Sequence, residues 1–298
     1  MKKFFISAAV ILATLSAGAQ VFNVVSIDKV NTNVTIDKPV ISPDGSFVFA
    51  TGDAINGISR INVANGEAQT IVSGSGLYGV KVSADGSQIV YNEPSFKNKL
   101  RYVSLKSLDV NTLKANTIVK ASRHLNSGVA LQGNTVTAIA DGKVKSRALA
   151  GQETAAKAVA SIDYGHLVVT VDGKSTVIDP QGRGSYLWPS VSPDGTKVLY
   201  WATGHGAFVC DLDGSNAKSL GAIRAAVWAG NDAIVGMHDQ DNGEEITSSE
   251  IVAADLNGHR QTLTDNSMIA LYPSATADGS KVAFATIDGS LYVINLNR

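Results

Sequence analysis

Ser42-Pro43-Asp44-Gly45, Ser83-Ala84-Asp85-Gly86, Ser192-Pro193-Asp194-Gly195 and Thr276-Ala277-Asp278-Gly279 are four copies of one turn. Each is followed by Ser or Thr and a β-rich run ending in an aromatic: SFVF at 46–49, SQIVY at 87–91, TKVLY at 196–200 and SKVAF at 280–284. Asp-Gly supplies the positive φ of a tight hairpin, and a preceding Pro presets its own φ and stops the strand from continuing. A turn-plus-strand unit that recurs along the chain marks a repeat architecture.

Three degenerate copies bring the anchors to seven: Gln132-Gly133-Asn134, Asp163-Tyr164-Gly165 and Gly230-Asn231-Asp232, each followed by an apolar run. A further strand often closes on another turn, as in INVANG at 61–66, VCDLDG at 209–214 and VAADLNG at 252–258. Four short strands per unit fit the blade of a β-propeller better than a sandwich. The expected fold is all-β: seven four-stranded blades, or six if residues 127–187 merge into one irregular blade. The last unit offers three strands, so residues 21–28 are expected to add the fourth and close the ring, which removes free strand edges. Residues 154–160 read equally as a helical turn or an outer strand.

The chain divides into a signal peptide, 1–19, and a single propeller domain, 20–298. Lys2 and Lys3 precede a short apolar core, and Ala17-Gly18-Ala19 forms a cleavage site before Gln20. That core is shorter than the roughly 20 residues a bilayer span requires. Removing it takes away two lysines and no acid, moving the formal charge from −1 to −3. Such a balance gives no electrostatic case for nucleic acid or anionic lipid. Cys210 is the single cysteine, so no intramolecular disulfide forms and an apolar core must stabilise the fold. A soluble monomer in a bacterial periplasm or medium is expected.

Residues 188–200, an aromatic followed by Pro-Ser-Val-Ser-Pro-Asp-Gly-Thr-Lys-Val-Leu-Tyr, resemble the TolB-like (WD-like) propeller repeat. Residues 272–284 repeat the pattern with Ala for Pro in the turn, and residues 39–49 repeat it without the leading aromatic. The resemblance covers roughly residues 22–298 and implies the propeller alone. The chain has room neither for the extra α/β domain of TolB nor for the hydrolase domain of related peptidases. Its motif residues are turn chemistry and imply no activity.

Blades sort loops by face. The Asp-Gly turns share one face; the second-to-third hairpins and the crossovers between blades share the other, where variable loops on a rigid scaffold suit binding. The partner- or ligand-binding set read there is Phe96, Arg101, Arg123, His124, Arg183, Tyr186, Trp188, His205 and His238. Tyr78, Trp188 and Tyr272 recur at one repeat position and also read as interblade wedges. The expected function is a non-catalytic scaffold for a periplasmic or envelope protein. The alternatives are a metal-dependent propeller enzyme (a lyase or lactonase-like hydrolase) and a glycan-binding protein acting on sugar-derived ligands.

The run His238-Asp239-Gln240-Asp241-Asn242-Gly243-Glu244-Glu245 offers Ca²⁺ oxygen ligands at Asp239, Asp241 and Glu244, without EF-hand spacing. A solvated hairpin tip has the same composition. No other cofactor is implied. Gly173-Lys174-Ser175-Thr176 lacks the upstream glycine of a phosphate loop, and no G-x-S-x-G elbow occurs. Cys210, on an apolar strand, reads as a buried small hydrophobe.

Overall fold

The computed structural model describes residues 20–52, 55–149 and 158–297. The signal-peptide reading of residues 1–19 lies outside them, as does most of the 154–160 segment. The chain opens with β1 (Asn23–Val30) and continues into blade one: β2 (Lys38–Ile41), β3 (Phe47–Gly52), β4 (Ile55–Asn62) and β5 (Ala68–Ser73). Blade two is β6 (Tyr78–Val82), β7 (Gln88–Lys97), β8 (Leu100–Asp109) and β9 (Ala115–Ser122). Blade three is β10 (Leu125–Gln132), β11 (Thr135–Ala140) and β12 (Lys143–Ala148), and blade four is β13 (Ala158–Asp163), β14 (His166–Val171) and β15 (Lys174–Val177).

Blade five comprises β16 (Tyr186–Val191), β17 (Lys197–Ala202), β18 (Gly206–Asp211) and β19 (Lys218–Gly221). Blade six comprises β20 (Arg224–Trp228), β21 (Ala233–Asp241), β22 (Ile246–Asp255) and β23 (Arg260–Thr262). Blade seven is β24 (Ala270–Ala275), β25 (Lys281–Thr286) and β26 (Leu291–Asn297), with β1 paired antiparallel to β26 from Asn23↔Asn297 to Val30↔Leu291. The protein is a seven-bladed β-propeller. Residues 127–187 build two separate sheets, each three-stranded among the described residues, and do not merge.

The recurring turn closes the same way each time. The Ser192 hydroxyl donates to Asp194 Oδ1 (2.6 Å) and accepts the Lys197 amide (3.0 Å), while Asp194 Oδ1 accepts the Thr196 amide (3.1 Å). Ser42/Asp44, Ser83/Asp85 and Thr276/Asp278 repeat this geometry. Each hydroxyl-bearing residue is buried, so its side chain supplies partners that water does not reach.

Strand alternation explains the core. Neighbouring residues on a second strand face opposite sides, and in a propeller both sides meet another blade. Val48 packs towards blade seven and Phe49 towards blade two. Ile89 and Val90, Val198 and Leu199, and Ile234 and Val235 divide in the same way. The core is therefore a ring of apolar layers between blades, and second strands read as continuous hydrophobic runs.

Candidate interaction face

The first strand of four blades bends at one equivalent position. Pairing with the second strand shifts register between Tyr78 and Lys81, Leu187 and Ser190, Arg224 and Val227, and Leu271 and Ser274. The residue inside each bulge has positive φ: Gly79 (67°), Trp188 (50°), Ala225 (47°) and Tyr272 (50°). Left-handed backbone is uncommon for bulky residues, so packing around each strand must hold the conformation. The bulge turns Trp188 outwards, leaving it 48% exposed on the face shared by the crossovers and second-to-third hairpins, where its ring lies 6.2 Å from Trp201.

This bulge exchanges the roles read for two aromatics. Tyr186 is buried at 2% and is not part of the exposed face. It meets Tyr200 edge-on at 5.7 Å, accepts the Gln181 amide (3.0 Å) and donates to the Gly182 carbonyl (2.7 Å). Burial is the main cause pushing its phenol above the ordinary value. Tyr186 is thus the wedge under the rim, while Trp188 stands on it.

Around the same rim, Arg101 lies 5.2 Å from the centroid of Tyr78, and Lys38 lies 5.3 Å from that of Tyr272. Phe96, opposite Arg101 across the β7–β8 hairpin, is 72% exposed. Arg123 and His124 are exposed on a crossover whose backbone is fixed: the His124 amide donates to Ser122 Oγ (2.9 Å), and the Ser122 hydroxyl donates to Asp141 (2.7 Å). Arg183 is exposed in the segment leading from β15 to β16, and His205 in the β17–β18 turn. His238 is half-buried on β21, across from Glu250.

The sequence reading missed Lys38, Trp201 and Ile287. Ile287 is 56% exposed in Thr286-Ile287-Asp288-Gly289, a turn between β25 and β26 on this same face. Its signal was present: Thr286 donates to Asp288, and the Ser290 amide donates to Asp288 Oδ1 (3.3 Å), the chemistry of the recurring turn. Further along the first strand of blade two, burial pushes the Lys81 ammonium below its ordinary value.

The proposed Ca²⁺ ligands do not form a set. Asp239 is almost wholly buried and ion-paired with Arg224 across β20 and β21. Asp241 Oδ1 accepts the Gly243 amide (3.0 Å), and Asn242 caps the amides of Glu244 and Glu245 (3.0 and 2.9 Å). Among the described residues no group of three or more His, Cys, Asp or Glu side chains is arranged to hold a metal. A shallow groove of about 740 Å³ runs past Asn31, Phe47, Arg60, Asn65 and Gln69 on blade one, and it contains none of the candidate side chains.

No family model matches the chain, and no curated protein matches it. Among solved structures, a chain of "Crystal Structure of Mitotic Checkpoint Complex" is similar over 97% of this chain and 100% of its own, with a TM-score of 0.61 and 12% identity. At that identity the likeness is one of fold.

Proposed function

We propose that this protein is an exported, non-catalytic propeller of the TolB-like repeat type that acts as a protein-interaction scaffold in the bacterial periplasm or cell envelope. The observation carrying this reading is the exposed rim itself: Phe96, Trp188 and the Tyr78–Arg101 pair stand out of a face built on rigid strands. Aromatic and Arg side chains bury large areas at modest entropy cost and dominate interface energetics. A propeller suits this role because its loops are set by interblade packing rather than by their own stability.

Affinity capture from a native envelope extract tests the reading. The native protein as bait should enrich a partner that a Phe96→Ala/Arg123→Ala/Trp188→Ala bait of unchanged melting temperature does not. Equal recovery by both baits would place the partner elsewhere on the molecule.

A further inference from the structure

Two hairpins on the interaction face are longer than the rest. β7 and β21 have ten and nine residues, against six in each of the other second strands. At about 3.3 Å per residue, each overhangs its sheet by about 10–13 Å. The arm of blade two ends in Phe96-Lys97-Asn98-Lys99-Leu100-Arg101, with three cations and no acid. The arm of blade six ends in Asp241-Asn242-Gly243-Glu244-Glu245, with three acids and no cation. Closer to the sheets, Glu93 on the first arm pairs with Lys106 (2.6 Å), and Asp239 on the second pairs with Arg224. Among the described residues, none of the six tip charges has an ion-pair partner.

We propose that this face pairs with a second copy of the chain, the basic arm of each copy lying against the acidic arm of the other. The proposal rests on the reading of this face as an interaction surface and names its partner. Blades two and six stand three positions apart in the ring, with blades seven and one between them. A two-fold axis lying in the face, through the junction of blades seven and one, exchanges the two arms and makes both pairings at once. Any other partner must carry an acidic and a basic patch at this particular separation. A second copy carries them by symmetry.

The charges set register and association rate, since exposed pairs individually add little. Phe96 and Leu100, 72% and 41% exposed at the basic tip, supply the apolar area that closes the contact. Ile287, on blade seven beside the axis, adds to it.

Sedimentation velocity of the purified protein tests this. A dimer is expected at an ionic strength of about 0.01 M and a monomer at about 1 M, where charges are screened within about 3 Å. Lys97→Glu/Lys99→Glu should sediment as a monomer, and so should Asp241→Lys/Glu244→Lys/Glu245→Lys. Mixing these two variants restores complementarity at both arms, so the mixture should form a heterodimer although neither variant pairs with itself. Unchanged melting temperatures would show that both variants fold. A native protein that stays monomeric at low salt overturns the proposal, as does a dimer indifferent to the swaps or a mixture that fails to associate. If the protein is monomeric while the capture experiment still yields a partner lost with Phe96 and Trp188, the interaction face stands and self-pairing falls.

Discussion

Gln261, on the outermost strand of blade six, holds the backbone of Phe22 from both sides. Its Oε1 accepts the amides of Val21 and Phe22 (2.8 Å each), and its Nε2 donates to the Phe22 carbonyl (2.8 Å). The Phe22 ring is buried among Val235, Ile251, Phe284 and Leu296, where blades six and seven meet. One side chain therefore secures the residue that leads into the closing strand. Phe22→Ala should cost about 3–5 kcal/mol, the usual loss for a buried Phe. Gln261→Ala should cost about 1–3 kcal/mol, because it strips partners from part-buried backbone groups. Urea unfolding of both variants measures these losses, and a Phe22→Ala loss below that of an ordinary surface substitution would contradict the latch.

The recurring turns link stability to acid. Hydrogen bonds from Ser42 and Ser46 hold the Asp44 carboxyl below its ordinary value. At Asp85, Asp194 and Asp278 burial pushes upwards, but the combined hydrogen bonds outweigh it and the net direction is again down. A carboxyl with a depressed folded pKa contributes stability that is complete above its unfolded value of about 3.9 and is lost as pH falls through the folded value. The melting temperature should thus be flat near neutrality and fall below about pH 4. Ser192→Ala, which leaves the Lys197 amide without its partner, should cost about 1–2 kcal/mol at pH 7. A melting temperature that did not fall between pH 4 and pH 2 would contradict this account.

Tyr186 and Trp188 should separate stability from binding. Tyr186→Phe loses the bonds to Gln181 and Gly182 and should lower stability by about 1 kcal/mol. Trp188→Ala removes a half-exposed ring and should shift the melting temperature little while weakening partner capture. The reverse pattern would mean that Trp188 is the structural aromatic.

Cys210 should be silent in the native protein. Burial, then the charges of Asp211 and Asp213, push its thiol up to about 12. The thiolate is the reactive form, so a thiol reagent at pH 8 should label the native protein far more slowly than the urea-unfolded chain. Equal rates would show that β18 opens readily.

How much of this was legible depended on range. The Asp-Gly turns were readable because their chemistry is local: a hydroxyl, a carboxylate and a glycine within four residues fix the bend wherever they occur. Seven blades followed from counting these four turns with the three degenerate anchors, six remaining the alternative, and closure by an N-terminal strand followed from the strand missing in the last unit. The strand runs from Asn23 to Val30, slightly later than residues 21–28. The roles of Tyr186 and Trp188 were not readable, because they turn on a positive φ at a non-glycine residue, which packing imposes. β7 carries Pro94 in its interior, although proline argues against a strand interior. It is tolerated there because pairing with β6 ends at Asn92, leaving that edge open. The ion pair that removes Asp239 from the acidic run joins separate strands and carries no local signature.

The pairing of β1 with β26 also sets a timetable. β1 is made before β26 and waits for it through the 260 residues, 31–290, that lie between them. Blades one to six can form hairpin by hairpin from neighbours in sequence, but blade seven cannot take up β1 until β26 arrives. Contacts of such long separation form late and slowly. An interrupted or truncated chain therefore leaves a ring with two exposed edges rather than a smaller stable domain, and the finished protein is the first species along that path with neither edge open.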